Sequence, residues 1–502
     1  MQTIGHFIQG KIHLNLEQNK LPVFNPAIGE QVSQVIIADE HQIQSTIKTA
    51  QQAFALWSLT SPAKRARVLF KFRELLEKNL ERLAGIITQE HGKTFADAKA
   101  EVIRGLEVIE FSCGISSQLG GQFSDNVSTQ VDCTGFRQPI GVCLGITPFN
   151  FPVMVPLWMI PVAIACGNCM ILKPSEKVPS ASLVLAELLQ QAGLPNGVFN
   201  VLQGDHTTVK HLLAHPEISA VSFVGSTHVA QSIYQQATLS NKRVQALGGA
   251  KNHLVVMPDA SQHEVADALI GAAFGSAGER CMAISVAVVI GEDNANTLSK
   301  ILVDKINQLK VAPGDQSDTD MGPLITAEHL NKVKNYIQSG VEQGAKLVVD
   351  GRQKTFAPTN TGFFIGATLF DEVTSDMSIY QEEIFGPVLC LVRVNDLDEA
   401  ITLINQHQYA NGTSIYTQSG QAARHFSRNI HVGMVGINVA IPVPVAFHSF
   451  GGWKSSLFGD HHIHGEEGVR FYTRLKTVTS RWQTAGIASS EEHSAFIMPT
   501  SR

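Results

Sequence analysis

A chain of 502 residues can bury a large core, with about three domains as the length-based expectation, and its net charge of -6 without basic clustering excludes a nucleic-acid binder. Seven scattered cysteines argue against a disulfide framework. Cys166 and Cys169 have CxxC spacing but lie in an apolar run with no second pair, so no metal site is expected.

Met1 to Lys11 lacks the charged-then-apolar pattern of an export signal, which points to a cytoplasmic protein. Residues 1–40 read as short strands and turns punctuated by Asn25-Pro26 and Gly29, and Glu40 to Leu56 has a helical apolar period. Ser61-Pro62 opens an amphipathic helix expected to run past Leu75, Leu76 and Leu80 to about Gly92. The next helix, roughly Thr94 to Leu119, carries Arg104 three residues from both Glu101 and Glu107. A solvated helical ion pair is the plainest reading of that arginine.

From Gly141 short apolar runs alternate with helical ones. Gly141 to Thr147, Cys169 to Lys173, Val198 to Leu202 and Ala220 to Val224 read as buried parallel strands, which makes this half a doubly wound α/β sheet. Phe151 to Leu172 has no charged residue and would span a bilayer, but Pro152, Pro156, Pro161 and Gly167-Asn168 break it into a buried helix followed by a buried strand, so no membrane partner is expected.

Doubly wound sheets bind ligands at the carboxyl ends of their strands, where Asn150, Lys173, Glu176, Gly225 and Ser226 fall. Gly225-Ser226 opens a helix around Val229 to Ala237, whose free N–H groups suit a pyrophosphate. Lys173 and Glu176 suit ribose hydroxyls. The Gly-x-Gly-x-x-Gly fingerprint is missing.

Gly275-Ser276-Ala277-Gly278-Glu279-Arg280-Cys281 places a cysteine after an arginine in a small-residue segment. A neighbouring cation lowers a thiol pKa, so Cys281 is a candidate nucleophile; an inert packing cysteine is the alternative. Ile284 to Ile290 and Pro387 to Val394 read as further buried strands of a second α/β unit. Phe471 to Thr479 reads as an edge strand, and His461, His462 and His464 as a solvated loop rather than a metal cluster.

Pro148-Phe149-Asn150-Phe151-Pro152, Lys173-Pro174-Ser175-Glu176, Phe223-Val224-Gly225-Ser226, the segment ending at Cys281, and Glu383-Ile384-Phe385-Gly386-Pro387 follow in an order similar to the motif series of the NAD(P)-dependent aldehyde dehydrogenase superfamily. The resemblance covers nearly the whole chain. It implies a Rossmann-like NAD-binding domain over 1–121 and 139–246, a catalytic domain over 247–450, and a small β oligomerisation extension from 122–138 and 451–502. A homodimer or homotetramer is implied with it. Cys281 would attack an aldehyde, and Asn150 with the Cys281 N–H would hold the oxyanion. Phe149, Lys173, Glu176, Gly225, Ser226, Glu383 and Phe385 would bind NAD. Ala230 replaces a glycine of the family and is expected to tighten the cofactor groove.

A second departure is Ala246, where hydrolytic members carry the glutamate that activates water. Alanine cannot accept a proton, whereas a thiol acceptor needs a base less, so coenzyme A is the expected acyl acceptor. With Gly248-Gly249-Ala250-Lys251-Asn252-His253, Gly278-Glu279-Arg280-Cys281-Met282-Ala283 and Gly452-Trp453-Lys454-Ser455-Ser456, the chain resembles the CoA-acylating methylmalonate-semialdehyde dehydrogenase branch. That branch implies decarboxylating oxidation of methylmalonate or malonate semialdehyde to propionyl-CoA or acetyl-CoA in valine, pyrimidine and inositol breakdown. The substrate's carboxylate would fall to Arg280 and Arg104, since arginine offers a two-point fork. For Arg280 the alternative is an ion pair with Glu279 or a remote carboxylate. Hydrolytic aldehyde oxidation and non-catalytic binding are the rival functions.

Overall fold

The computed structural model describes residues 1–354, 356 and 361–482; the remainder of the expected 451–502 extension lies outside the described residues. The first helix, Glu40–Trp57, starts at a capping box in which Asp39 and Gln42 bond each other's main-chain N–H. The helix expected from Ser61 to Gly92 is two helices, Pro62–Lys78 and Leu80–His91. Asn79 breaks it: its side-chain amide donates to the Leu75 carbonyl at 2.9 Å while its own backbone leaves the helical region. The following helix is Phe95–Cys113, capped by the Thr94 hydroxyl and ended at Gly114, with only a short turn, Ile115–Gln118, beyond.

The uncharged 151–172 stretch forms the wholly buried helix Met154–Cys166 and the buried strand Cys169–Lys173, separated by Gly167 at φ +98°. Among the described residues no helix is long and apolar enough to cross a membrane. Its lack of charge reflects burial between helices and sheet.

The four expected strands are joined by a fifth, Arg243–Leu247, and assemble in the order Arg243–Leu247, Ile218–Val224, Val142–Ile146, Cys169–Lys173 and Phe199–Val201, all parallel. Antiparallel edges come from Leu457–Phe458 on one side and His6–Ile8 with Lys11–His13 on the other. Successive connections run outward in both directions from Val142–Ile146. The loops after Val142–Ile146 and Ile218–Val224 therefore diverge and leave a crevice, the usual ligand position in such a sheet.

A second sheet has the order Lys346–Val349, Thr368–Asp371, Val388–Val394, Ile284–Ile290, Asn252–Val256, Gly412–Tyr416, Met434–Ile437, parallel except for its first strand. Each sheet has its own apolar core. A small antiparallel sheet joins Gln122–Ser128, Val131–Pro139 and Thr473–Arg481. Residues 451–472 lie ahead of it and are used elsewhere, as the strands Trp453–Lys454 and Leu457–Phe458 and the helix Gly465–Phe471.

Between the helix Gln262–Phe274 and the strand Ile284–Ile290 the chain makes a turn with Ser276, Ala277 and Gly278 at φ +53°, +53° and +72°. Two consecutive non-glycine residues in the left-handed region store strain beside Cys281. A Cβ on Gly278 would lie 2.3 Å from the Gly386 carbonyl oxygen. Gly278→Ala is expected to destabilise the protein by more than the ~1–2 kcal/mol of left-handed strain alone. Urea unfolding checks this, and an unchanged midpoint would count against the clash.

Candidate active site

Asn150 ends the loop after Val142–Ile146, and Cys281 ends the strained turn of the second sheet. The two are joined directly: the Asn150 side-chain Nδ2 donates to the Glu279 carbonyl at 2.9 Å. The Cys281 carbonyl in turn accepts from Asn252 Nδ2 at 2.9 Å and Asn411 Nδ2 at 3.2 Å. Thiol and amide are thus held by main-chain contacts rather than by packing alone.

Behind Asn150 lies a buried ion pair that sequence reasoning missed. Lys93 Nζ meets Glu101 Oε2 at 2.8 Å and donates to the Asn150 carbonyl oxygen. Glu101 Oε1 accepts from the N–H groups of Val153 and Met154 at 2.8 and 3.1 Å. Glu101 therefore does not pair with Arg104. Burial was the missing signal, since both residues look like surface charges in the sequence.

A cleft of about 770 Å³ opens at the carboxyl ends of the first sheet's strands. Phe149, Asn150, Lys173, Glu176, Gly225, Ser226, Glu383 and Phe385 line it, and so does Cys281. Ser226 caps the helix Thr227–Leu239, and its hydroxyl makes no capping bond. Lys173 Nζ lies 3.2 Å from Glu176 Oε2. Burial tends to raise the Glu176 pKa, but Lys173, the peptide N–H and Lys177 outweigh it and leave the carboxyl below its usual range. Phe149 packs edge-on against Phe385 at 6.0 Å, with Lys177 over its ring at 5.1 Å. The expected tightening by Ala230 is not found: Ala230 is fully buried in the core and does not line the cleft.

On the other side of Cys281 is a smaller pocket of about 220 Å³ bearing Arg104, Arg280, Phe151, Trp158 and Phe450. Arg280 Nη2 bonds Asp97 Oδ1 at 2.7 Å, so its ion-pair partner is a remote carboxylate and not Glu279. Arg104 bonds Glu107 through both carboxylate oxygens, at 2.9 and 2.8 Å, and the Pro444 carbonyl at 3.0 Å. Both arginines line the pocket, and their side chains are partly exposed, 33% for Arg104 and 19% for Arg280. The histidine loop is not solvated as expected. His461 pairs with Glu467 at 3.0 Å, and His464 is buried beside Trp158, with burial pushing its pKa down to about 4. Among the described residues no group of side chains could hold a metal ion.

The electrostatics correct another expectation. Enclosure by surrounding atoms and the nearby Glu383 push the Cys281 thiol up to about 12, and the adjacent Arg280 opposes this only weakly. Burial likewise raises the Glu383 carboxyl to about 7, against its bond from the Ala250 N–H. Glu279 is fully buried and raised to about 8, with His91 Nε2 and His329 Nε2 each 3.7 Å from its carboxyl oxygens. Burial, Lys93 and Arg280 hold His91 well below the usual histidine range. Ala246 is buried in the strand Arg243–Leu247, paired to Phe223 and Phe458.

A doubly wound sheet whose ligand cleft ends at a cysteine carried by a second α/β sheet is the architecture of an aldehyde-oxidising dehydrogenase. The aldehyde dehydrogenase family model matches residues 13–478, and the chain belongs to that family. It is 54% identical over 500 residues to the malonate-semialdehyde dehydrogenase of Pseudomonas aeruginosa, covering 100% of both chains. It is 47% identical to malonate-semialdehyde dehydrogenase 2 of Bacillus thuringiensis, over 96% of this chain and 99% of that one. The crystal structure of methylmalonate-semialdehyde dehydrogenase from Oceanimonas doudoroffii superposes with a TM-score of 0.96 at 53% identity, over 97% and 99% of the two chains. A Sinorhizobium meliloti relative solved in complex with NAD gives a TM-score of 0.95 at 50% identity, over 96% and 99%.

A thiol held near 12 gives iodoacetamide alkylation of Cys281 that rises log-linearly from pH 7 to about 10 without a plateau. Removing the Glu383 charge in Glu383→Gln is expected to lower the thiol pKa and speed alkylation at pH 8. An inflection near pH 8 in the unaltered enzyme would overturn this assignment.

Proposed function

We propose that this chain is an NAD-dependent, CoA-acylating dehydrogenase of malonate or methylmalonate semialdehyde, working through a thioester on Cys281. The observation that carries the reading is the pocket in which Arg104 and Arg280 share one small volume with Cys281. It suits a short aldehyde bearing a carboxylate, the substrate class in the names of the relatives above.

The cleft residues fit NAD. The unspent Ser226 hydroxyl and the helix N-terminus it opens suit a pyrophosphate, the Lys173–Glu176 pair suits ribose hydroxyls, and Phe149 with Phe385 suits an aromatic ring beside Cys281. When bound, NAD supplies a hydride acceptor with a cationic ring. Glu383, which faces both the cleft and Cys281, takes the role of the second ribose contact.

The Cys281 thiol gives up its proton to solvent, the thiolate sulfur adds to the aldehyde carbon, and the new oxyanion is held by the Asn150 amide and the Cys281 N–H; each such donor commonly contributes ~3–4 kcal/mol. Only one Asn150 Nδ2 hydrogen is taken by Glu279, so the other remains to donate. After oxidation the substrate carboxylate is β to the thioester carbonyl. The bond to carbon dioxide breaks, its electron pair forms an enolate on the same oxyanion site, and protonation at carbon completes the acyl group. Attack of the CoA thiol on the thioester carbonyl expels the Cys281 thiolate, an exchange that requires no particular order relative to decarboxylation. Ala246 supports this acceptor over water, because a general base is missing where the hydrolytic members have one. A cytoplasmic homodimer or homotetramer completes the reading, supported by the outer strands of the small sheet, which expose Phe123 and Leu475.

Mixing enzyme, NAD and malonate semialdehyde is expected to give one NADH per site and then continue only with CoA. Equal steady rates without CoA would favour the hydrolytic reading, and no NADH the non-catalytic one. Replacing Arg280 or Arg104 by Leu is expected to raise KM for either semialdehyde by about 10- to 100-fold, the size of one charge-assisted bond, and to leave KM for propanal nearly unchanged. Parallel losses on both substrates would remove the carboxylate role.

A further inference from the structure

We infer that Lys93 and Glu101 are positioning residues that hold the Asn150 loop in its oxyanion-binding geometry; the inference rests on the assignment of Asn150 as the oxyanion donor. Lys93 is 1% exposed and Glu101 2% exposed, a costly place for two ionisable groups, and what accessible edge they have borders the pocket that holds Arg104, Arg280 and Cys281. What they touch accounts for it. Lys93 Nζ donates to the Asn150 carbonyl and to Glu101 Oε2, and packs over the Phe151 ring at 4.2 Å. Glu101 Oε1 takes two N–H groups, those of Val153 and Met154, where the helix Met154–Cys166 begins without a side-chain cap from its own Val153. A carboxylate there also complements the positive end of the helix.

The two charges therefore grip the loop at both ends of residues 150–154. Asn150 is left with its carbonyl fixed by Lys93 and one amide hydrogen fixed by the Glu279 carbonyl. Its remaining amide hydrogen has a single direction, which is what preorganised stabilisation of developing charge requires. Lys93 comes from the turn between the helices Leu80–His91 and Phe95–Cys113, and Glu101 from the second of them. The orientation of the donor is thus set from elements remote in sequence. Both residues also border the substrate pocket, so the aldehyde KM is read with propanal, which has no carboxylate to meet Lys93.

The test measures the NADH burst rate, the aldehyde KM and Cys281 alkylation in Lys93→Met, Glu101→Gln, their double variant, Asn150→Ala, and Lys93→Met/Asn150→Ala. A misplaced donor is expected to slow the burst by about 10- to 100-fold in Lys93→Met with KM and alkylation little changed. In the Asn150→Ala background Lys93→Met should cost nothing further, because the donor it positions is already gone. The double charge variant should recover thermal stability relative to Lys93→Met, since no unpaired charge stays buried, yet keep the slow burst. A burst rate that recovers together with stability, or losses that multiply with Asn150→Ala, would show a merely structural pair and overturn the inference. A normal burst in Asn150→Ala itself would instead defeat the oxyanion assignment on which it rests.

Discussion

The hydrogen bond from the Asn150 side chain to the Glu279 carbonyl is the contact on which the rest of the site depends. It ties a loop at the switch point of the first sheet to the strained turn that delivers Cys281 from the second. Arg280 and the Ser276 N–H, both bonded to Asp97, brace the same turn against the first unit. The left-handed conformations of Ser276, Ala277 and Gly278 follow from the same requirement, because the chain must double back sharply to present the Glu279 carbonyl to Asn150 and Cys281 to the cleft. Such strain persists only where the surroundings over-determine it, and Asn252, Asn411 and Asp97 supply that support through the Cys281 carbonyl and the Ser276 N–H.

Around this contact burial controls charge. Glu279 and Glu383 are both pushed toward or above neutrality, and His91 is held uncharged by enclosure and neighbouring cations. At neutral pH much of the carboxylate charge near the thiol is therefore suppressed. The thiol is still disfavoured as an anion, because burial outweighs Arg280.

The two arginines show how one pocket can use residues that are already paired. Asp97 and Glu107 hold Arg280 and Arg104 in place, and each guanidinium has more donors than its carboxylate uses. Trp158 and Phe450 line the same pocket.

The doubly wound sheet was legible because its strands are short β-branched runs bounded by glycine or proline, and Cys169–Lys173 and Ile284–Ile290 fall at the expected residues. The ordered motifs likewise brought Asn150, Lys173, Glu176, Ser226, Cys281 and Glu383 to attention, since strand ends and helix starts have local signatures. Asn79 was missed as a break because its amide competes for one carbonyl only once a helix exists. The thiol's high pKa, the burial of His464 and the Lys93–Glu101 pair were also out of reach of the sequence. Charge state depends on which atoms enclose a group, and pairing on which elements meet. The sequence alone determined the sheet, the family and the candidate nucleophile, because these rest on local pattern; the tertiary structure decided protonation, ion-pair partners and the aim of Asn150, because these are set by contacts between residues far apart in the chain.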